Sequence, residues 1–346
     1  MHIPRRNCRG SSYYSQLLAE LQPALHAPWL QKQNSTCIIR SSESEVRKPV
    51  SNFFNSYFYG KSGKKDFTEA DLPANRMQLF RDTLRVRRGS MVGLNLLYLL
   101  FWIPAIVWTF MNLVQLYLAP YEDAASLGSF FHQVIFSYLL VLFPLVALTG
   151  PFNMGVSYVL RNWARDEHSF PFADFKSAVK ANWKQGLVFG VISGLVPLVT
   201  YLGASFYMGM AESSPLFYLP LAVLMIAAAL WYLSSSILPT MIVTYEQGFI
   251  GHLRNAALMT MAALPRAIGI RLATLAVPTI VMICALYIPG ILGYVSAGAV
   301  ALYAIILPVF NKFICASHAN ALCETYLNPK IAGARTGIGL RPENED

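Results

Sequence analysis

The sequence has little charge for its length, and in three of the segments between its long apolar runs it has no lysine or arginine. Charged residues make up 13% of the 346 positions, whereas hydrophobic residues make up 55%. So few polar residues cannot coat a soluble globule of this size. The composition therefore excludes a soluble domain and predicts an all-α, polytopic membrane helix bundle.

Cysteine is scarce, and recognisable catalytic motifs are missing. There are five cysteines, no CxxC pair and no cysteine in a predicted outward connector, so we expect neither a structural disulfide nor a metal cluster. The sequence also has no P-loop, no nucleophile elbow and no HExxH motif. We therefore predict that the protein is not an enzyme and that it has no catalytic residue, no bound metal and no cofactor.

Six apolar runs are long enough to cross the hydrocarbon core of a bilayer, which takes about 20 helical residues. They cover residues 91–113, 132–160, 186–208, 217–245, 270–288 and 291–313.

All 27 Lys and Arg residues fall in segments that these spans place on one side of the membrane. We assign fifteen to the segment before the first span, five to the second connector, three to the fourth, and four to the segment after the last. These counts place Arg271, at the start of the fifth span, with the fourth connector and Lys312, at the end of the sixth span, with the last segment. The other connectors hold only the acids Glu122, Asp123 and Glu212. By the positive-inside rule, both termini are cytoplasmic. Because the positive charge follows the inner border, it favours anionic lipid headgroups as a partner and argues against nucleic acid.

The N-terminal residues 1–49 have neither the apolar core of a signal peptide nor a periodic pattern. A valine codon can start a bacterial gene, so we hypothesise that translation begins near Val50. Residues 1–49 are then a disordered or misassigned extension. The remaining chain divides into a cytoplasmic segment at 50–90, a membrane domain at 91–313 and a cytoplasmic tail at 314–346.

Amphipathic cytoplasmic helices are predicted to introduce three of the spans, at residues 77–88, 171–186 and 249–264. The second has two adjacent stripes, one apolar and one cationic. The apolar stripe contains Phe172, Phe175, Val179 and Trp183, and the cationic stripe contains Lys176, Lys180 and Lys184. We expect this helix to lie in the membrane interface, with its lysines at the lipid phosphates.

Charges of both signs are concentrated just before that helix. They are Arg161, Arg165, Asp166, Glu167 and His168. One interpretation is a docking surface for a cytoplasmic partner, which would include the striped helix. The other is local salt bridging on a solvated turn, where each exposed pair contributes little.

No Asp, Glu, Lys or Arg lies in the middle of a predicted span. This argues against a carrier that moves protons through carboxylates and leaves at most a site for a neutral molecule. Each predicted span contains a proline, so kinks are expected in all six. These prolines are Pro104, Pro151, Pro197, Pro239, Pro278 and Pro308. In the second span Gly150 and Pro151 interrupt the apolar run, and Asn153 follows them. We predict a helix break at these three residues. Transporters use such breaks to expose backbone to a substrate, although prolines also occur in inert bundles.

Several short stretches resemble the YesL family of bacterial membrane proteins over about residues 50 to 330. They are Gly150-Pro151, Tyr158-Val159-Leu160-Arg161-Asn162, Glu167-His168, Asp174-Phe175 and Lys180-Ala181-Asn182-Trp183-Lys184-Gln185. The resemblance implies a multi-pass protein of the bacterial cytoplasmic membrane with no established biochemical activity. It also implies a gene that often lies beside genes for sugar ABC importers and polysaccharide-degrading enzymes.

Two functions follow as expectations. The first is an accessory or regulatory component of carbohydrate uptake, which contacts subunits of a sugar ABC importer through its cytoplasmic connectors. The alternative is a transporter, or a divergent ABC permease subunit, for a neutral solute such as an oligosaccharide. The connector at Asn255-Ala256-Ala257 and Leu264-Pro265 resembles the element with which permeases dock their ATPase, but it lacks the expected glutamate and glycine.

Overall fold

The computed structural model describes residues 72–118, 124–334 and 336–341, and these residues form helices and connecting turns without any strand. The predicted extension at 1–49 and the start near Val50 lie outside the described residues. The helices are α1 (Arg76–Val86), α2 (Arg88–Leu100), α3 (Ile103–Tyr117), α4 (Ala124–Trp163), α5 (Pro171–Ala211), α6 (Tyr218–Ser234), α7 (Leu238–Ile242), α8 (Phe249–Ala262), α9 (Leu264–Tyr287), α10 (Leu292–Ile305) and α11 (Leu307–Tyr326). Short 3₁₀ turns occupy Pro215–Phe217, Pro289–Ile291 and Asn328–Lys330.

Four helices, α4, α5, α6 and α9, are individually long and apolar enough to cross a membrane. Two further candidates are bent pairs of helices. The α2–α3 pair bends by 69°. The second pair, Pro289–Ile305 with α10 and Leu307–Lys330 with α11, bends by 63°. The described residues therefore hold up to six spans. The prediction of an all-α polytopic membrane bundle is confirmed.

The long helices α4 and α5, of 40 and 41 residues, pack against each other as an antiparallel hairpin. Each is about 60 Å long, which is twice the hydrocarbon thickness of a bilayer. Gly186, Gly190 and Gly194 recur every four residues on α5 and bring its backbone against α4. A Cβ atom on Gly190 would lie 2.5 Å from the Ala147 carbonyl oxygen. Small residues at this spacing allow such close packing of membrane helices.

The predicted helix break at Gly150, Pro151 and Asn153 is wrong, because α4 continues through all three residues. Pro151 cannot donate a hydrogen bond to the Ala147 carbonyl, but that carbonyl lies against Gly190 of α5. A Cβ atom on Gly150 would lie only 2.1 Å from the Gly186 carbonyl oxygen. The backbones of α4 and α5 are therefore in direct contact at the predicted break.

The breaks occur instead in the first, fourth and sixth predicted spans, and each comes just before a proline. Pro104 follows the break between α2 and α3, Pro239 follows the break between α6 and α7, and Pro308 follows the break between α10 and α11. Each proline occupies the first turn of the second helix, where its missing N–H costs no intrahelical hydrogen bond.

The predicted interfacial helix at residues 171–186 is not a separate element. It is the beginning of α5, which continues without interruption into the span, so the expected separate entry helix is not observed. The other two predicted entry helices exist as separate helices, α1 and α8. The side chain of Asn75 caps α1 by accepting a hydrogen bond from the Gln78 amide at 2.9 Å.

The buried core lies toward the predicted inner side of the bundle and has two parts. One surrounds Trp163 and includes Met91 and Phe313, and the other surrounds Leu238 and Leu322. Helix α11 joins them, because it continues past the predicted end of the last span to Tyr326. The bundle thus extends beyond residue 313, into the segment that the sequence assigned to the tail.

Candidate functional site

The charged turn between α4 and α5 holds most of its charges in internal ion pairs. The Arg161 Nη1 donates to Glu167 Oε2 at 2.9 Å, and Arg165 Nη2 lies 3.4 Å from the other oxygen of Glu167. Asp166, in a left-handed conformation with φ 54°, and His168 are exposed. The structure therefore brings the five predicted residues together, but it leaves Arg161, Arg165 and Glu167 partnered with one another. This arrangement matches the interpretation as a locally paired turn.

The apolar stripe at the start of α5 divides into a buried and an exposed part. Phe175 is 5% exposed and packs in the core together with Val179. Phe172 is 69% exposed and Trp183 is 49% exposed. Only half of the predicted stripe is therefore available to a lipid or a partner.

The three lysines of this segment are all exposed. None of Lys176, Lys180 and Lys184 forms an ion pair with a residue that the structure describes. The Lys184 ammonium lies 5.7 Å from the centre of the Trp183 ring. We refer to Lys176, Lys180 and Lys184, with the exposed Phe172 and Trp183, as the lysine face. The structure thus preserves a predicted cationic surface whose lysines have no ion-pair partner among the described residues.

A polar groove of about 680 Å³ lies along another side of the same segment, against the loop that follows α7. Gln185 closes one end by donating to the Gln247 carbonyl at 3.0 Å. Tyr245, whose hydroxyl donates to Asn328 at 2.6 Å, has its pKa raised by burial and by the neighbouring Cys323. His252 is fully buried beside this loop, and burial lowers its pKa from 6.5. Two acidic residues, Asp174 and Glu246, line the groove.

A second cavity, of about 430 Å³, lies where the three broken spans meet. Its wall combines aromatic and aliphatic side chains with hydroxyl, amide and cationic groups. The lining residues are Tyr98, Leu99, Trp102, Ile106, Ser157, Ser235, Ser236, Pro239, Thr240, Arg271, Thr274, Tyr303, Pro308, Asn311, Lys312 and Cys315. An apolar cavity with a few converging polar groups is the usual form of a small-molecule site.

Asn95 of α2 forms hydrogen bonds with the backbone on both sides of the break in the sixth span. Its amide nitrogen donates to the carbonyls of Tyr303 and Ala304, at 3.1 and 2.9 Å. Its amide oxygen accepts from the Val309 N–H at 3.2 Å. The Ala304 carbonyl is the acceptor that Pro308 leaves without an intrahelical donor. One fully buried side chain therefore satisfies the backbone on both sides of the break.

Two cations line the cavity, although the sequence indicated an uncharged interior. Arg271, assigned to the fourth connector, lies in α9, and Lys312, assigned to the segment after the last span, lies in α11. The interpretation that the membrane domain offers only a neutral site is therefore wrong for this cavity. Both residues lie at the ends of predicted spans and were assigned to the adjacent inner segments, so the sequence did not place them in the bundle.

Asn153 belongs to this cavity's surroundings instead of to a helix break. It is buried on α4 and accepts a hydrogen bond from the Lys312 ammonium. Its contact with Lys312 joins residues 159 positions apart in the sequence. No local pattern predicts such a pair, so Lys312, Arg271 and Asn95 were missed as members of one site.

Among the described residues, no group of three or more His, Cys, Asp or Glu side chains is placed to hold a metal ion. Residues 91–204 match the family described as "Protein of unknown function, DUF624". Over that region the chain is similar to a family of uncharacterised bacterial membrane proteins. The comparisons with curated proteins and with solved structures found no match.

Proposed function

We propose that the protein is an accessory or regulatory component of carbohydrate uptake in the bacterial cytoplasmic membrane, with both termini in the cytoplasm. The match of residues 91–204 to a family of uncharacterised bacterial membrane proteins supports the setting. The resemblance to the YesL family supports the connection with sugar ABC importers. In this proposal the lysine face binds an importer subunit.

The observation that carries this proposal is the exposed lysine face on α5. This helix is about twice as long as a bilayer's hydrocarbon core is thick, so part of it must project beyond the core. Trp183 and Lys184 adjoin the apolar run that begins near Gly186, so they reach the level of the lipid headgroups. Phe172 is twelve positions before Lys184 in the sequence, about 18 Å away along the helix. Anionic headgroups can therefore cover the Trp183 end, whereas the Phe172 end needs a protein partner.

The chemistry of the face indicates what that partner presents. Three unpaired lysines attract an acidic surface and speed its approach. Exposed charges alone add little affinity, so the exposed aromatic ring of Phe172 is expected to be the main anchor. The partner surface is therefore expected to combine acidic residues with an apolar pocket.

The test is a triple charge reversal of Lys176, Lys180 and Lys184 to Glu in the full chain. A matched control reverses Arg254, Arg266 and Lys330, which are also exposed cations outside the lysine face. Both variants change the net charge equally. We expect only the first to lose importer subunits in affinity purification with mild detergent and to lose growth on the imported sugar, at unchanged protein level.

Normal growth and normal recovery of importer subunits after reversal of the lysine face would contradict the proposal. The single change Phe172→Ala serves as a second check that leaves all charges in place. It is expected to weaken recovery of the partner about tenfold or more, as the loss of an interface anchor does.

A second candidate is that the chain itself transports a solute, which the cavity at the three breaks supports. Transporters often bind substrates at discontinuous helices, and hydroxyls of Ser236, Thr240 and Thr274 suit an oligosaccharide. Uptake of a labelled oligosaccharide into vesicles that contain only this protein tests it. The divergent-permease form has less support, because Ala256 in the connector that resembles a docking element is fully buried.

A further inference from the structure

Arg271 and Lys312 bring two positive charges to the cavity between the broken spans, and none of the residues that line it is acidic. Neither cation forms an ion pair with any residue in the described part of the chain. A charge held away from water costs free energy unless an opposite charge or hydrogen bonds compensate it. Charges of this kind within membrane domains are kept where they contact a substrate, an ion or a lipid group.

The guanidinium of Arg271 is fixed in place by neutral groups only. Its Nη2 donates to the Tyr232 carbonyl and to the Ser235 hydroxyl, the latter at 2.6 Å. The face of the Tyr232 ring lies 4.3 Å from its central carbon. Its Nε is buried and has no hydrogen-bond partner. These contacts orient the group but leave its positive charge without a counter-charge.

The ammonium of Lys312 is oriented in a similar way. It donates to the amide oxygen of Asn153 and lies 5.2 Å from the centre of the Tyr98 ring. An ammonium has three donors, so donors remain after the contact with Asn153. Lys312 and Arg271 line the same cavity, together with the Cys315 thiol. The two cations therefore converge on one space.

We propose that this cavity binds an anionic group, a carboxylate or a phosphate, through Arg271 and Lys312. A guanidinium can donate two parallel hydrogen bonds to the oxygens of either group, and a nearby ammonium adds a compact positive charge. The volume of about 430 Å³ is in the range of small-molecule sites. This inference goes beyond the proposed docking function, since it concerns a different surface and holds whether the bound anion is transported or regulates the protein.

The anionic group can belong to a dissolved molecule or to a lipid. Ile106 at the rim is 49% exposed and Tyr232 beside Arg271 is 41% exposed, so the cavity adjoins the surface that faces the bilayer. Basic pockets between membrane helices bind anionic lipid headgroups. A sugar acid or a phosphate ester offers the same oxygens from solution.

The first experiment measures ligand binding to the purified full chain in a neutral detergent. Glucuronate and glucose form a matched pair that differs in the carboxylate, and inorganic phosphate is a third probe. Native mass spectrometry compares retention of phosphatidylglycerol with that of phosphatidylcholine. We expect glucuronate or phosphate to raise the apparent melting temperature while glucose does not, or phosphatidylglycerol to be retained in preference to phosphatidylcholine. Stabilisation by a soluble anion identifies a solute site, and retention of phosphatidylglycerol alone identifies a lipid site.

The second experiment compares Arg271→Gln and Lys312→Gln with Arg266→Gln. Arg266 is an exposed cation on the same helix as Arg271 and does not line the cavity. Loss of a charge-assisted hydrogen bond to the ligand is expected to weaken anion binding about tenfold or more in each cavity variant. Arg266→Gln is expected to bind like the unmodified protein.

Three results would overturn the inference: no anion of either kind binds, glucose stabilises the protein as much as glucuronate, or both cavity variants bind anions normally. The comparisons of glucuronate with glucose and of phosphatidylglycerol with phosphatidylcholine both use the unmodified protein, so together they decide the matter even where a variant does not fold. The lysine-face reversal is expected to leave anion binding unchanged. Failure of this inference is therefore distinguishable from failure of the docking proposal.

Discussion

The α4–α5 hairpin and the three broken spans contain the same helix-disrupting residue but respond to it differently. Pro144, Pro151 and Pro197 lie inside continuous helices of the hairpin. Pro104 and Pro308 follow sharp bends, and Pro239 follows an interruption between two helices. Proline alone therefore does not decide where a membrane helix breaks in this protein.

At Pro151 and Pro308 the difference lies in what packs against the helix. In the hairpin, the carbonyl that Pro151 leaves free faces the bare backbone of Gly190 at close range. At the sixth span, the carbonyl that Pro308 leaves free accepts a hydrogen bond from the Asn95 side chain. A close backbone keeps a helix straight, whereas a polar side chain can satisfy a bent one. The straight pair forms the frame, and the bent spans enclose the cavity.

The largest expected effect is the loss of the hairpin when its closest contact is filled. In Gly190→Leu, the new Cβ would lie 2.5 Å from the Ala147 carbonyl oxygen, which is backbone and cannot move aside alone. We expect destabilisation by about 3 kcal/mol or more, seen as loss of the folded, monodisperse protein in detergent. The control is Gly209→Ala on the same helix, where nothing lies within 4 Å of a Cβ. A folded Gly190→Leu protein would show that the glycines do not hold the hairpin.

The next largest effect is expected at the break in the sixth span. Asn95→Leu removes three hydrogen bonds at the break of the sixth span. At about 0.6 kcal/mol for each interhelical bond in a membrane, the loss is about 2 kcal/mol. Thermal unfolding in detergent measures it. Asn112→Leu is the control, because the Asn112 amide donates only to the Trp108 carbonyl of its own helix. Equal effects of the two changes would contradict a special role for Asn95.

The same comparison shows how far sequence reasoning reached. The six spans and the all-helical bundle follow from apolar runs, which are local. The spacing of Gly186, Gly190 and Gly194 is also local, and it was the available signal for the close hairpin. The contacts of Asn95 with Tyr303 and of Lys312 with Asn153 join distant segments. Their pairing depends on the packed bundle. The sequence therefore predicted kinks at the prolines, but neither which prolines follow a break nor the cationic cavity.

A smaller effect tests the core beside α7, the short helix after the break in the fourth span. His252 is fully buried there, and burial lowers its pKa from 6.5. Above pH 6.5 it is neutral in both the folded and the unfolded state, so it adds no pH dependence. Below pH 6.5 the unfolded state takes up a proton first, and stability falls until the pH reaches the folded pKa. The slope approaches about 1.4 kcal/mol per pH unit.

His252→Phe removes this titrating group while keeping a ring in the space. We expect its melting temperature to fall less than that of the unmodified protein between about pH 6.5 and 5. His252→Gln, which keeps a polar side chain, is expected to remove the same slope. An unchanged slope in both variants would mean that other groups cause the acid sensitivity.

The smallest effects on stability are expected when the backbone N–H is restored at one proline of the hairpin and at one proline of the broken spans. Pro151→Ala gives an already straight helix the N–H that it lacks, and we expect a change within about 1 kcal/mol. Pro308→Ala gives a donor to the Ala304 carbonyl, which Asn95 already occupies. The new N–H and the Asn95 amide then compete for one acceptor, so the single change is also expected to be small.

The effects of the two proline substitutions on stability are expected to differ when each is combined with Asn95→Leu. Pro308→Ala is expected to restore part of the stability lost in Asn95→Leu, because its N–H replaces one missing donor. The coupling free energy should reach about 1 kcal/mol. Pro151→Ala acts at a different carbonyl, so its effect should add to that of Asn95→Leu without coupling. If both cycles give the same coupling, side-chain support does not distinguish the bent spans from the hairpin, and the steric contact with the α5 glycines must account for the difference alone.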